Sequence, residues 1–214
     1  MTAPNTPPAN GSAANASTAA VSAAEQSSAA RIGAVIFRNR GWLPVPFLLV
    51  PLFAPGRMDP RTTIIGVILM VIGEAWRMWG VATAGTVTRR RGRNVGKLVS
   101  HGPFSWSRNP LYNGNFLLWM GIITISGVLW FLPVAAVIFA IEYYYIVRYE
   151  EGVLESIFGQ EYLSYKARTP RWLPRPPQSS AGEFFWAEAW RSEISTFLQF
   201  AAIIGLFVAK ERYF

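Results

Sequence analysis

Long apolar stretches separated by arginine clusters set the pattern of this chain. The first, Trp42 to Ala54, is short and contains Pro44, Pro46 and Pro51. The second, Thr62 to Thr83, carries an acid and a base inside an otherwise apolar run. The third, Phe116 to Val147, is interrupted between Gly127 and Pro133, and the last is Ile194 to Ala209. A helix needs about 20 residues to cross the hydrocarbon core. Thr62–Thr83 meets that length. Phe116–Val147 suits a tight hairpin of two helices, over about 116–127 and 130–147. Trp42–Ala54 must tilt, begin earlier or thin the bilayer to serve as a span. The pattern predicts an all-α integral membrane protein with about five transmembrane helices.

Outside the spans the organisation is uneven. Residues 1 to about 30 are mostly Ala, Ser, Asn, Thr and Pro with one charge, Glu25, so a disordered tail is expected there. No basic segment precedes an apolar core in it, and no cleaved signal peptide is expected. Beyond the hairpin, Val153, Leu154, Ile157 and Phe158 recur at helical spacing, which carries the helix on as far as the breaker Gly159. Pro170, Pro174, Pro176 and Pro177 then stop regular structure. Glu183 to Glu193 mixes Phe184, Phe185, Trp186 and Trp190 with charges, as an interfacial helix at headgroup depth would. Three regions result: the tail of residues 1–30, a transmembrane core over 31–175, and a segment over 176–214 holding the proline-rich linker, interfacial helix and last span.

Charge adds sidedness. Arg89, Arg90, Arg91, Arg93, Lys97 and Arg108 follow the second span, and Arg148, Lys166, Arg168, Arg171, Arg175 and Arg191 follow the hairpin. The hairpin tip carries no basic residue. By the positive-inside rule both polar segments are expected in the cytoplasm. The net charge of +8 therefore belongs to membrane orientation and anionic lipid, and no nucleic-acid partner is expected. The chain has no cysteine and a single histidine, His101, on a loop beside Gly102 and Pro103. Thiolate chemistry, multi-histidine metal sites and serine–histidine catalysis are excluded. No glycine-rich phosphate loop or dinucleotide fingerprint is present.

Two polar segments remain as candidate chemistry: residues 97–114 and Arg148-Tyr149-Glu150-Glu151. The hairpin returns them to one membrane face. The pattern L-V-S-H-G-P-F-S-W-S-R-N-P-L-Y-N-G-N, with E-E-G-V-L-E-S-I-F-G-Q-E-Y-L-S-Y-K some 35 residues on, resembles the isoprenylcysteine carboxyl methyltransferase family. That family is related to the membrane phospholipid N-methyltransferases. The resemblance covers about residues 62–175 and implies S-adenosylmethionine bound in a cytoplasmic cap. It implies cofactor contacts at Gly96, Lys97, Leu98, Val99, Phe104, Asn109, Pro110, Leu111, Tyr112 and Glu150. It also implies a substrate-side arginine, carried here to Arg148, although the family's arginine stands about one helical turn before the glutamate. Asn109 replaces the family's usual histidine and cannot become cationic.

Independently, Glu74 and Arg77 lie three residues apart within the second span and can pair across one helix face. Ionisable groups at membrane depth point to function, and Arg77 is a second candidate for the acceptor side. Glu142 is placed to pair with Arg148 or Arg77. The acceptor implied is a lipophilic small molecule or lipid carrying an isoprenoid-type carboxylate or thiol-derived group. A phospholipid amine acceptor, a membrane reductase with a nicotinamide cofactor, and a non-enzymatic membrane scaffold are the alternatives.

Overall fold

The computed structural model describes residues 28–42, 44–85, 97–176 and 181–213. Most of the tail over 1–30, the Arg89–Arg93 cluster and Gly96 lie outside them. The described residues form seven α-helices: α1 Ser28–Asn39, α2 Pro44–Phe53, α3 Pro60–Ala84, α4 Pro110–Ile125, α5 Phe131–Phe158, α6 Gln160–Arg168 and α7 Trp186–Tyr213. A 3-10 turn spans Gly102–Ser105, and no strand occurs among the described residues. Three helices, α3, α5 and α7, are long and apolar enough to cross a membrane. Helix α4, with 16 residues, is about 24 Å long, whereas α2, with 10, reaches only about 15 Å of a core about 30 Å thick.

Local chemistry explains where the helices start and stop. The Asp59 side chain accepts from the backbone N–H of Arg61 at 2.9 Å and of Thr62 at 3.4 Å, and Pro60 opens α3 with its φ already fixed. At the hairpin tip Gly127 takes φ 73°, a left-handed turn that a side chain would strain. Helix α5 runs on past the expected span and ends at Gly159, φ 50°, where the chain bends into α6.

Helices α3 and α4 form the tightest pair. A Cβ on Gly73 would stand 2.8 Å from the Gly114 carbonyl oxygen, so only small residues allow this approach. One consequence is positional: it brings Arg77 of α3 against Asn115 of α4. Helix α1 packs along α5, where the Phe37 and Tyr149 rings lie 5.6 Å apart.

The C-terminal region differs from expectation. Residues expected as a separate interfacial helix form the first turns of α7, because neither Pro nor Gly occurs between Trp186 and Ile204. This helix is tied at both ends. Phe185 N–H donates to the Ala82 carbonyl at 2.7 Å, and Lys210 Nζ donates to the Pro51 and Ala54 carbonyls at 3.1 and 2.5 Å, capping the end of α2.

Candidate active site

The loop before α4 is held by the strap that follows α6. Arg108 N–H donates to the Pro170 carbonyl at 2.8 Å, and Arg175 N–H to the Trp106 carbonyl at 3.1 Å. The Asn109 side-chain amide donates to the Arg171 carbonyl at 3.0 Å, and the Asn113 amide to the Trp172 carbonyl at 2.8 Å. Tyr165 OH donates to the Phe104 carbonyl at 2.7 Å, and burial raises both the Tyr165 and Tyr162 phenols above their ordinary pKa. These contacts need hydrogen bonding but no positive charge at position 109, so asparagine serves there.

Beneath the strap lies an ion network around Glu151. Arg108 donates from Nη2 to its Oε1 at 2.8 Å, and Arg171 donates from Nη2 to Oε2 at 2.7 Å. Arg108 also donates to the Lys166 and Thr169 carbonyls, joining α4, α5, α6 and the strap. Glu151 beside Arg171 holds that guanidinium above its ordinary pKa.

The network borders a cavity of about 800 Å³. Leu98, Val99, Phe104, Asn109, Pro110, Leu111, Tyr112 and Glu150 all line it, as does Arg77. At one end Tyr112 OH donates to Glu150 Oε2 at 2.7 Å, and Arg40 from the end of α1 stands 3.7 Å from Oε1. At the other, Arg77 donates to the Asn115 side-chain oxygen and, at 2.9 Å, to Glu193 Oε2 of α7. Glu74 completes the predicted pair at 3.4 Å from Arg77 Nε. The Asn115 amide reaches Tyr143 OH at 3.2 Å, and the Tyr143 and Tyr112 rings, 4.5 Å apart, connect the two ends. Apolar side chains, among them Leu118, Trp119 and Ile122, fill the wall between.

Other expected residues fall elsewhere. Lys97 is exposed and does not line the cavity. Arg148 is also exposed and outside the cavity lining, and it donates to Tyr144 OH at 2.7 Å on its own helix. Among the described residues Glu142 pairs with neither Arg148 nor Arg77, whose acids are Glu74 and Glu193. His101 stands in the loop with Nε2 at 3.1 Å from the Glu183 carbonyl. Sequence reasoning named Glu151 only as part of the polar segment 148–151, and it gave Arg40, Asn115 and Glu193 no place in the site. Of these three only Glu193 carried a local signal, an acid at the edge of an apolar span.

Residues 61–161 match the family model described as phospholipid methyltransferase. This segment is similar to the phospholipid methyltransferase family. The matched residues contain Arg77, Asn115, the loop from Leu98 to Tyr112, and Glu150, whereas Arg40 at one end of the cavity and Glu193 at the other lie outside them. The strap, α1 and α7 lie outside the matched residues.

Curated relatives agree. The chain is 32% identical over 120 residues to the protein-S-isoprenylcysteine O-methyltransferase of Homo sapiens, covering 52% of this chain and 41% of that protein. It is 30% identical over 118 residues to the protein-S-isoprenylcysteine O-methyltransferase B of Arabidopsis thaliana, covering 51% and 57%. It is 33% identical over 112 residues to a cobalt-zinc-cadmium resistance protein of Cupriavidus metallidurans, covering 52% and 47%. The matches thus span about half the length of these relatives. No solved structure matches the chain. Among the described residues no group of His, Cys, Asp and Glu is placed to hold a metal ion.

Proposed function

We propose that this protein is an integral membrane methyltransferase that uses S-adenosylmethionine to methylate a lipophilic acceptor, with an isoprenoid-type carboxylate or thiol-derived group as the leading class. One observation carries the reading. A single cavity holds a carboxylate on a tyrosine hydroxyl at one end, an arginine fixed by an amide at the other, and apolar walls between.

The residues present fit the cofactor. The cavity volume of about 800 Å³ lies within the range of about 300–1,000 Å³ usual for small-molecule sites. Glu150 can accept from an ammonium or from ribose hydroxyls, and Leu98, Val99 and Phe104 offer an apolar surface to a base. When bound, the cofactor supplies a methyl group made electrophilic by a sulfonium. Arg77 and Asn115 orient the acceptor group, and the apolar walls exclude water, which favours a reaction that consumes charge. An acceptor carboxylate is ionised at neutral pH and needs no general base, in keeping with a cavity lining that contains no histidine.

Titration separates this reading from a nicotinamide-dependent reductase. Purified protein in detergent is expected to bind S-adenosylmethionine saturably and to leave a reduced nicotinamide dinucleotide unbound. The opposite pattern would overturn the reading.

We place both basic segments on the cytoplasmic side, with five spans in all. A cysteine introduced at Ser105 or Ser179 should stay unlabelled by an impermeant thiol reagent in intact cells. Labelling of either from outside would reverse the topology.

A further inference from the structure

Helix α7 lies beyond the residues that match the family model, yet one of its faces completes the cavity. Glu193, Thr196, Gln199, Phe200 and Ile203 all line it. At about 100° per residue these five positions fall within an arc of about 120°, so they form a single stripe. The stripe is not uniformly apolar. Glu193 is fully buried against Arg77, and Thr196 and Gln199 follow it at about 4.5 and 9 Å along the helix axis. Neither Thr196 nor Gln199 has a side-chain hydrogen-bond partner among the described residues. A primary amide at this depth in a spanning helix is costly to leave without a partner, and polar groups so placed mark substrate paths. Phe200 and Ile203 continue the same face with hydrocarbon.

We propose that the α7 stripe reads the acceptor's chain: a polar head at Arg77, a hydrogen-bonding group on the chain within about two helical turns of that head, met by Thr196 and Gln199, and hydrocarbon beyond. The acceptor class is therefore a functionalised amphiphile, carrying a hydroxyl or carbonyl on its chain, and not a plain polyprenyl tail. Glu193 positions Arg77, while Gln199 and Thr196 determine specificity. This rests on the methyltransferase reading above and names its substrate class. It also assigns the choice of acceptor to a helix outside the residues that match the family model.

The test uses two synthetic prenyl thioether carboxylates of equal chain length, one bearing a chain hydroxyl and one without it. Methyl transfer is measured with the full chain in detergent, for the wild type, Gln199→Leu and Thr196→Val. Both substitutions suit a bilayer, and an unchanged Kd for S-adenosylmethionine verifies the fold. The wild type is expected to favour the hydroxylated acceptor by about tenfold in kcat/KM, the scale of one well-placed hydrogen bond. Gln199→Leu should abolish that preference by raising KM for the hydroxylated acceptor, and Thr196→Val should reduce it. A wild type without preference, or variants that keep it, would overturn the assignment of α7. Failure of the wild type to methylate either acceptor while binding S-adenosylmethionine would overturn the acceptor class above and this proposal together.

Discussion

Exchange of Glu150 for glutamine is expected to weaken S-adenosylmethionine binding by about 10- to 150-fold. The amide keeps the shape of the side chain and can still accept from Tyr112, but it loses the charge that would meet a cationic amine. A hydrogen bond to a charged group contributes roughly 1.5–3 kcal/mol, which gives that range of affinity. Tyr112→Phe supplies the graded control. It removes the phenol that bonds Glu150 Oε2 at 2.7 Å and leaves the carboxylate, so a loss of about tenfold or less is expected. Calorimetric titration checks both variants, with thermal unfolding run alongside. An unchanged Kd in Glu150→Gln would reduce Glu150 to a structural partner of Tyr112 and Arg40.

The largest loss of stability is expected next door. Glu151→Ala removes the acid shared by Arg108 and Arg171, whose nearest nitrogens lie 2.8 and 2.7 Å from it. The Glu151 side chain is only 8% exposed and that of Arg108 9%, so the deletion leaves the buried Arg108 guanidinium without its counter-ion beside the more exposed Arg171. Removing one member of a buried ion network costs about 3–5 kcal/mol. Glu155→Gln, four residues on, breaks only the exposed pair with Lys166 and should cost less than about 1 kcal/mol. Unfolding in detergent, followed by tryptophan fluorescence, compares the two. Equal losses would show that the strap is not clamped through Glu151. The clamp also matters for function, because Arg108 precedes Asn109 and Pro110 at the cavity wall.

Much of this arrangement was legible in the order of residues. The hairpin could be read from Gly127 and Pro133 because a break in a long apolar run leaves few other options. The loop from Leu98 to Tyr112 and Glu150 could be matched because its motif is local and its spacing regular. Glu74 and Arg77 could be paired because three residues of helix bring them together. What stayed hidden depends on contacts distant in the chain. The partner that Arg77 finds in Glu193 lies 116 residues away. Arg108 and Arg171 converge on Glu151 only because the proline-rich strap folds back over the start of α4, and proline signals an end of helix without giving a direction. Arg148 illustrates the converse. Its position two residues before Glu150 suggested a shared site, but residues two apart on a helix differ by about 200°, and Arg148 is exposed and donates to Tyr144 OH.

In the proposed reaction this cavity joins a methyl donor to an acidic group on a lipid-like acceptor. Its most direct test is methyl-labelled S-adenosylmethionine incubated with purified protein and a prenyl thioether carboxylate, followed by mild alkali. Label is expected in the organic phase, released by alkali as methanol, and abolished or strongly reduced by Arg77→Ala, whose cofactor Kd should stay close to that of the wild type. Label that resists alkali, transferred instead to an amine-bearing phospholipid, would contradict the carboxylate reading, and no transfer to any acceptor would contradict the account as a whole.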